Sequence, residues 1–332
     1  MKQKILEIKG LKTQFKTKKG TAKVVDGIDL TVFKGETLGI VGESGCGKSM
    51  TSLSVLRLIP DSGKIVEGSI VLNGEDLLQK SEKEMSKIRG NSISMIFQEP
   101  MTSLNPVITV GEQIAETIRQ HQNLGKKEAN QRAIEMLKLV GIPSPEQRAK
   151  QEPFQLSGGM RQRVMIAMSL ACNPEVLIAD EPTTALDVTV QSQILKLMKK
   201  LQQQLNMGII FITHDLGVVA ETCDHVAVMY AGEIIEQSTT RELFRNPKHP
   251  YTRGLLDSLP KLYEDQDELV AMRGNIPSPL VQHKGCKFAA RCPLAEESCF
   301  ETHPSLISYH DEYQVRCLVY EKERKRKEEV YG

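Results

Sequence analysis

The stretch Gly42-Glu43-Ser44-Gly45-Cys46-Gly47-Lys48-Ser49 decides the reading of this chain. It fits G-x-x-x-x-G-K-[ST], a loop that cradles the phosphates of a nucleoside triphosphate. The apolar run Thr37–Val41 before it predicts a buried strand, and residues 49–58 after it, with Leu53, Leu56 and Leu58 apolar, predict a helix. Strand, glycine loop and helix form the setting that this motif requires. Glycines let the backbone turn several N–H groups toward one point, at the positive end of a helix. Lys48 is then placed to neutralise the β- and γ-phosphates, and the Ser49 hydroxyl to hold Mg²⁺.

The rest of the chain supplies a large fold around that loop. Its 332 residues suit one large α/β domain with a small second unit. The 26% charged and 40% apolar content is that of an ordinary globular protein. A net charge of +1 gives no electrostatic footprint for a polyanion, so no nucleic-acid partner is expected. No apolar run reaches the length of about 18 residues that a membrane span needs. The start, Met1 to Glu7, lacks the apolar region of a secretory signal, so a cytosolic location is expected.

Taken in order, Leu6–Ile8 and residues 27–32 read as short strands separated by a polar loop at 16–20. Residues 68–72 read as a strand into an Asn73-Gly74 turn, and residues 93–97 as a strand ending at Gln98. Residues 111–141 take a helical pattern that Pro143 and Pro145 end. Leu156-Ser157-Gly158-Gly159-Met160 precedes a helix over 161–172. Ser157 is an N-cap type, and the two glycines leave N–H groups uncovered. Residues 176–179 and 209–212 are continuous apolar strands of the parallel-sheet kind. Val190, Ile194, Leu197, Leu201 and Leu205 mark one apolar helix face between them. Residues 226–235 read as a hairpin. Strands alternating with helices predict a largely parallel α/β sheet, and Gly42, Gln98, Asp180 and His214 all follow strand ends, where sites gather.

Asp180 after an apolar strand is of the type that orients a Mg²⁺ hydration shell, and Glu181 beside it is placed to polarise an attacking water. The alternative, that both carboxylates only cap the following helix, is the weaker reading given the phosphate loop upstream. Gln98 and His214, read alone, are an edge-of-strand polar residue and a structural histidine. Phe15, read alone, is a hairpin or core aromatic.

The ordered set GESGCGKS (42–49), Gln98, LSGGM (156–160), VLIADEP (176–182), ALD (185–187) and His214 resembles the ATP-binding subunit of ABC transporters. LSGG is the specific element, since the other motifs occur in many unrelated NTPases. The resemblance implies a P-loop NTPase fold over 1–245, with an N-terminal antiparallel β subdomain, a RecA-like parallel core and a helical subdomain at about 100–172. It implies ATP and Mg²⁺ bound through Phe15, stacked on adenine, and through Gly42, Glu43, Ser44, Gly45, Cys46, Gly47, Lys48, Ser49, Met50, Gln98 and Asp180. Glu181, His214, Gln98 and Lys48 would be the catalytic groups. It also implies a homologous second ATPase subunit paired head to tail as a heterodimer. Ser157, Gly158 and Gly159 would serve that partner's nucleotide, with Asp187 at the seam.

Past residue 245 the composition changes. Asn246-Pro247, His249-Pro250 and Ile276-Pro277-Ser278-Pro279 break regular structure, leading to a small loop-rich module over 246–320 and a charged tail over 321–332. Of seven cysteines, Cys286, Cys292, Cys299 and Cys317 crowd into this module with spacing C-x5-C-x6-C-x17-C. In a reducing cytosol such a group points to metal rather than disulfides. Thiolates suit a [4Fe–4S] cluster or zinc. His249-Pro250-Tyr251-Thr252 with Leu255, Leu256, Ser258 and Pro260, and Gly285-Cys286-Lys287-Phe288 with Arg291-Cys292-Pro293, are similar to the extension of the peptide-permease ATPases. SGGM rather than SGGQ is similar to their D-type subunit, and relatives with this cysteine arrangement carry a [4Fe–4S] cluster. Phe154, where that branch often has His, and Gly274-Asn275-Ile276-Pro277, a loose version of its turn, depart from the pattern.

This resemblance implies an importer motor for dipeptides or oligopeptides on the cytoplasmic face of the membrane. Two transmembrane permease subunits and an extracellular or periplasmic peptide-binding protein would be its partners. The same motor could serve nickel or a metal chelate, since the motor does not touch cargo. A non-transport ABC ATPase is the rival class, but such proteins commonly carry two cassettes or a coiled-coil insert, and this chain has one cassette and no long heptad tract.

Overall fold

The structure, a computed structural model, describes residues 2–98, 103–184, 186–258, 272, 274–310 and 312–331. Ala185 and Pro260, quoted above, lie outside them. The strands are β1 (Lys4–Thr17), β2 (Gly20–Phe33), β3 (Thr37–Val41), β4 (Gly63–Leu72), β5 (Glu75–Asp76), β6 (Ile93–Ile96), β7 (Val176–Asp180), β8 (Gly208–Ile212), β9 (His225–Tyr230), β10 (Glu233–Thr239), β11 (Ile307–His310) and β12 (Tyr313–Val315). The chain forms two compact units, both discontinuous in sequence: Met1–Leu6, Val32–Thr37 and Leu72–Ile212 in one, Glu7–Thr31, Leu38–Val71 and Thr213–Gly332 in the other.

In the first unit β6, β7 and β8 pair in parallel, with Ile93 opposite Val176 and Val176 opposite Gly208. Every residue of β7 and β8 is buried, which is why these strands read as unbroken apolar runs. The helices Val110–Gln122, Lys126–Leu139, Gly158–Leu170 and Val188–Leu205 belong to this unit. The single helical stretch expected over 111–141 is thus two helices. Asn123 takes a left-handed φ of 50° and ends the first, and Gly125 starts the second. The second ends at Val140 with Gly141 at φ 78°, so it stops before the prolines. Pro145 instead opens the short helix Pro145–Arg148, where its missing N–H costs nothing. The buried residues of Val188–Leu205 are Ile194, Leu195, Met198, Leu201 and Gln202. The face therefore lies close to the predicted one, rotated to take in Leu195 and Met198.

In the second unit β2, β1 and β4 are neighbours in one sheet. β1 and β2 each run 14 residues, so the expected polar loop shrinks to a tight turn at Lys18-Lys19. β3 pairs in parallel with β9, Leu38 opposite His225. β9 and β10 form the expected hairpin, turning through Ala231 at φ 46° and Gly232 at φ 85°. The C-terminal module is less loop-like than its composition implies. β12 adds to β10 with Glu236 opposite Val315, and β11 adds to β12. The tail forms the helix Leu318–Tyr331.

Where the module joins β10, two buried ionisable groups meet the backbone. Glu236 accepts the N–H groups of Lys248 at 2.5 Å and His249 at 3.1 Å, and the Tyr313 hydroxyl. Burial still holds its carboxyl above the usual range. His249 Nδ1 accepts the Tyr251 N–H at 3.1 Å and so caps the helix Pro250–Asp257. Burial, with Arg253 and Arg316 adding to it, lowers His249 to about 3. A histidine held neutral in this way must charge when the chain unfolds. Its contribution is complete above the unfolded value of about 6.5 and is lost as pH falls toward about 3. Urea titrations at pH 7 and pH 5 should therefore show the wild type losing on the order of 2 kcal/mol through this group. His249→Asn, which keeps a capping side chain, should lose correspondingly less over the same interval.

Candidate functional site

The loop 42–49 is wrapped tightly around its own lysine. Gly42, Gly45 and Gly47 take φ values of 155°, 83° and 112°. At Gly42 a Cβ would lie 2.2 Å from the Met229 carbonyl oxygen, so the turn can pass the end of β9 only as glycine. Gly47 caps the helix Lys48–Val55, and Thr51 N–H bonds back to the Gly47 carbonyl at 2.9 Å. Lys48 is 5% exposed, and its ammonium donates to the carbonyls of Gly42 at 2.7 Å and Glu43 at 3.1 Å. Cys46 is buried, which pushes its thiol up even with Lys48 beside it. Ser44 and Gly45 are exposed, whereas Ser49 and Met50 are half-buried on the helix's first turn. Phe15 lies half-buried near the end of β1, and its ring packs against Gly63, where a Cβ would fall 2.5 Å from Cε1.

Three expected site residues gather after the strands of the first unit. Asp180 ends β7 at 4% exposure. Glu181 follows with φ 48°, a left-handed conformation that costs a non-glycine residue about 1 kcal/mol or more. Its N–H is tied to the Ile212 carbonyl at 2.9 Å. Its Oε2 accepts Gln98 Nε2 and Thr184 Oγ1, each at 3.0 Å. Gln98 and Glu181, 83 positions apart, are thus brought together, and Thr184 is a partner that the sequence reading did not pick. His214 is exposed, between Thr213 and Asp215, in a turn fixed by the Asp215 N–H donating to Thr213 Oγ1 at 3.0 Å.

The signature residues form a second, separate arrangement in that unit. The helix begins at Gly158, three positions earlier than predicted, with Ser157 as N-cap accepting the Met160 N–H at 3.4 Å. A Cβ on Gly158 would meet nothing within 4 Å, whereas one on Gly159 would lie 2.9 Å from Val190 Cγ1. Asp187 caps the neighbouring helix by accepting the Val190 N–H at 2.9 Å. Ser157, Gly158, Gly159 and Asp187 share one open hollow of about 380 Å³. Two helix N-termini facing one hollow make an anion-attracting surface.

The four C-terminal cysteines are free thiols that line one small cavity of about 20 Å³ with Phe288, Ala289 and Leu318. Burial pushes Cys286 up to about 11, with Cys317, Cys292 and Cys299 adding repulsion, and it raises Cys292 and Cys317 as well. Among the described residues no group of three or more His, Cys, Asp or Glu side chains is arranged to hold a metal ion. The thiols pack as small apolar groups, with Cys299, Ala289, Leu318 and Cys286 in one cluster. The donor chemistry suits a thiolate-bound cluster, because all four cysteines line the same cavity.

The sequence reading quoted Tyr251 and Arg291 only as motif letters. In the fold Tyr251 Oη accepts the Glu43 N–H at 2.9 Å, and Arg291 forms a salt bridge with the Glu43 carboxylate at 3.0 Å. No local signal could have revealed contacts across more than two hundred positions.

Comparison with known proteins matches this geometry to a family. Residues 25–184 match the ABC transporter family, and residues 235–299 match the oligopeptide/dipeptide transporter C-terminal region. The chain is 54% identical over 320 residues to the oligopeptide transport ATP-binding protein AppD of Bacillus subtilis (strain 168), covering 96% of this chain and 98% of that protein. It is 50% identical over 316 residues to the dipeptide transport ATP-binding protein DppD of the same organism, covering 95% and 94%. Among solved structures it resembles the ATP-binding cassette MJ0796 in a dimeric post-hydrolysis state bound to ADP and Pi. There the TM-score is 0.64 and the identity 28%, over 71% of this chain and 99% of that one. No helix among the described residues is long and apolar enough to cross a membrane. The loop around Lys48, the capped signature helix and both family matches lead to one conclusion: this chain belongs to the ATP-binding subunits of ABC transporters, in the branch that carries the oligopeptide/dipeptide transporter C-terminal region.

Proposed function

We propose that this chain is the ATP-hydrolysing motor of an importer of dipeptides or oligopeptides. The observation that carries the reading is the presence of two different phosphate-binding arrangements on one chain. One is the glycine loop closed around Lys48, and the other is the open hollow at Ser157, Gly158 and Gly159. A signature surface with its N–H groups uncovered suits a nucleotide presented by another subunit. A head-to-tail pair with a homologous ATPase, as a heterodimer, follows. The dimeric state of the MJ0796 cassette supports the pairing of two such ATPase subunits. The names of AppD and DppD, oligopeptide and dipeptide transport ATP-binding proteins, support peptides as cargo. Two transmembrane permease subunits, an extracellular or periplasmic peptide-binding protein and the cytoplasmic face of the membrane are assigned together with that reading.

Within the site, Phe15 stacks on adenine, and Gly42 to Met50 wrap the phosphates. Lys48 balances the charge that develops on the γ-phosphate. Ser49 and the buried Asp180 are the residues assigned to Mg²⁺, which neutralises phosphate charge when bound. Glu181 takes the proton of the attacking water, oriented by Gln98 and Thr184, whose bonds to Oε2 hold the carboxylate in place. His214 hydrogen-bonds the γ-phosphate. The cassette is assigned to 1–245, with its helical subdomain at about 100–172 docking on the permeases, the extension to 246–320 and the tail to 321–332.

Glu181→Gln should lower ATP turnover by at least about 100-fold while accumulating ATP-bound dimers on gel filtration. Wild-type hydrolysis rates would overturn the base assignment. We assign the thiol cavity to a [4Fe–4S] cluster held by Cys286, Cys292, Cys299 and Cys317, a structural staple for a module with little core. Protein purified anaerobically should absorb broadly at about 400 nm and carry about four irons per chain. Colourless protein carrying zinc would replace that assignment. A strain deleted for this chain should fail to grow on defined dipeptides as sole source of a required amino acid. Undiminished growth would remove peptides as cargo.

A further inference from the structure

We propose that Arg291 and Tyr251 are positioning residues of the nucleotide site, so that the C-terminal module sets how tightly the phosphate loop binds a triphosphate. The proposal rests on reading residues 42–49 as the ATP loop.

Every polar group of Glu43, the loop's second residue, is engaged. Its N–H donates to Tyr251 Oη at 2.9 Å. Its two carboxylate oxygens take the Arg291 fork at 3.0 and 3.2 Å. Its carbonyl accepts Lys48 Nζ at 3.1 Å and the Cys46 N–H at 3.3 Å. One residue therefore joins the module to the lysine that meets phosphate.

Both module residues are rigidly seated. Tyr251 is fully buried, with its ring 4.7 Å from Tyr230 and 5.4 Å from Phe288. The Arg291 side chain is 6% exposed, and its guanidinium lies 5.6 Å from the Tyr230 ring and 5.8 Å from that of Phe288. An exposed ion pair would be worth little, but a forked and largely buried one fixes geometry. Lys287 secures the same turn, reaching Asp26 at 2.9 Å and Glu233 at 3.1 Å.

Charge adds a second effect. A carboxylate inside a loop that binds a polyanion repels it, and Arg291 cancels that repulsion at contact distance. A loop already held in its binding conformation also loses less freedom when the ligand arrives. Both effects act on affinity and leave the chemical step unchanged.

The test uses the full chain, Mg²⁺ and a non-hydrolysable ATP analogue in calorimetric titrations, with KM and kcat measured on ATP. Arg291→Ala should weaken binding and raise KM about tenfold with kcat at saturation retained. Arg291→Lys should fall between it and the wild type. Tyr251→Phe, nearly isosteric, should weaken binding about threefold. Adding Glu43→Gln to Arg291→Ala should recover part of the loss, because it removes the uncancelled charge. A purely structural arginine would show no such rescue. Unchanged affinity in Arg291→Ala, or no recovery on adding Glu43→Gln, would overturn the proposal. Should Arg291→Ala fail to fold, unchanged affinity in Tyr251→Phe would overturn it. A wild type that binds no analogue would instead overturn the ATP reading itself.

Discussion

An ammonium group enclosed by its own loop is the constraint on which the second unit is built. Lys48 lies 2.7 Å from the Gly42 carbonyl, and that closeness requires a backbone no side-chain-bearing residue could follow. Gly42 passes the Met229 carbonyl at the end of β9, and Gly47 leaves only 2.6 Å between a would-be Cβ and the Val24 carbonyl. The loop is therefore pressed against two strands at once. The end of β9 also supplies Tyr230, whose ring packs at a tilt on Tyr251 and edge-to-face on Phe288 of the C-terminal module. Packing thus runs without a break from the glycines to the cysteines.

The first unit solves a different problem. Asp180 and Glu181 close a strand that is buried along its length, where an unpaired carboxylate would be costly. Glu181 escapes by turning into a left-handed conformation and taking two side-chain donors, Gln98 and Thr184. Strain of this kind persists only where the surroundings over-determine it, and it concentrates at functional positions. The signature helix, in contrast, leaves its first glycine facing open space.

Much of this was legible in the residues. The phosphate loop, the buried strands β7 and β8 and the β9–β10 hairpin follow from glycine spacing, unbroken apolar runs and turn chemistry, all of which act over a few positions. Boundaries were less legible. The β1–β2 hairpin extends into residues that are polar because one of its faces meets water. The break at Asn123 was announced only by Asn123 and Gly125, two isolated turn formers inside a pattern that stays helical on both sides. The cysteines stood out by their crowding in the sequence, but the packing of Cys299 and Cys286 against Ala289 and Leu318 depends on the tertiary structure.

By itself the sequence determined which local conformations are possible: a tight glycine turn over 42–49 between a strand and a helix, a helix start capped by Ser157, and buried apolar strands at 176–179 and 209–212. Tertiary structure alone decided that Arg291 and Tyr251 meet Glu43, that Gln98 meets Glu181, and that the C-terminal module extends β10 rather than standing apart. The physical reason is range. Propensity, capping and turn chemistry are set by neighbours along the chain, whereas a salt bridge spanning 248 positions exists only once the sheet and its aromatic cluster have brought both ends together.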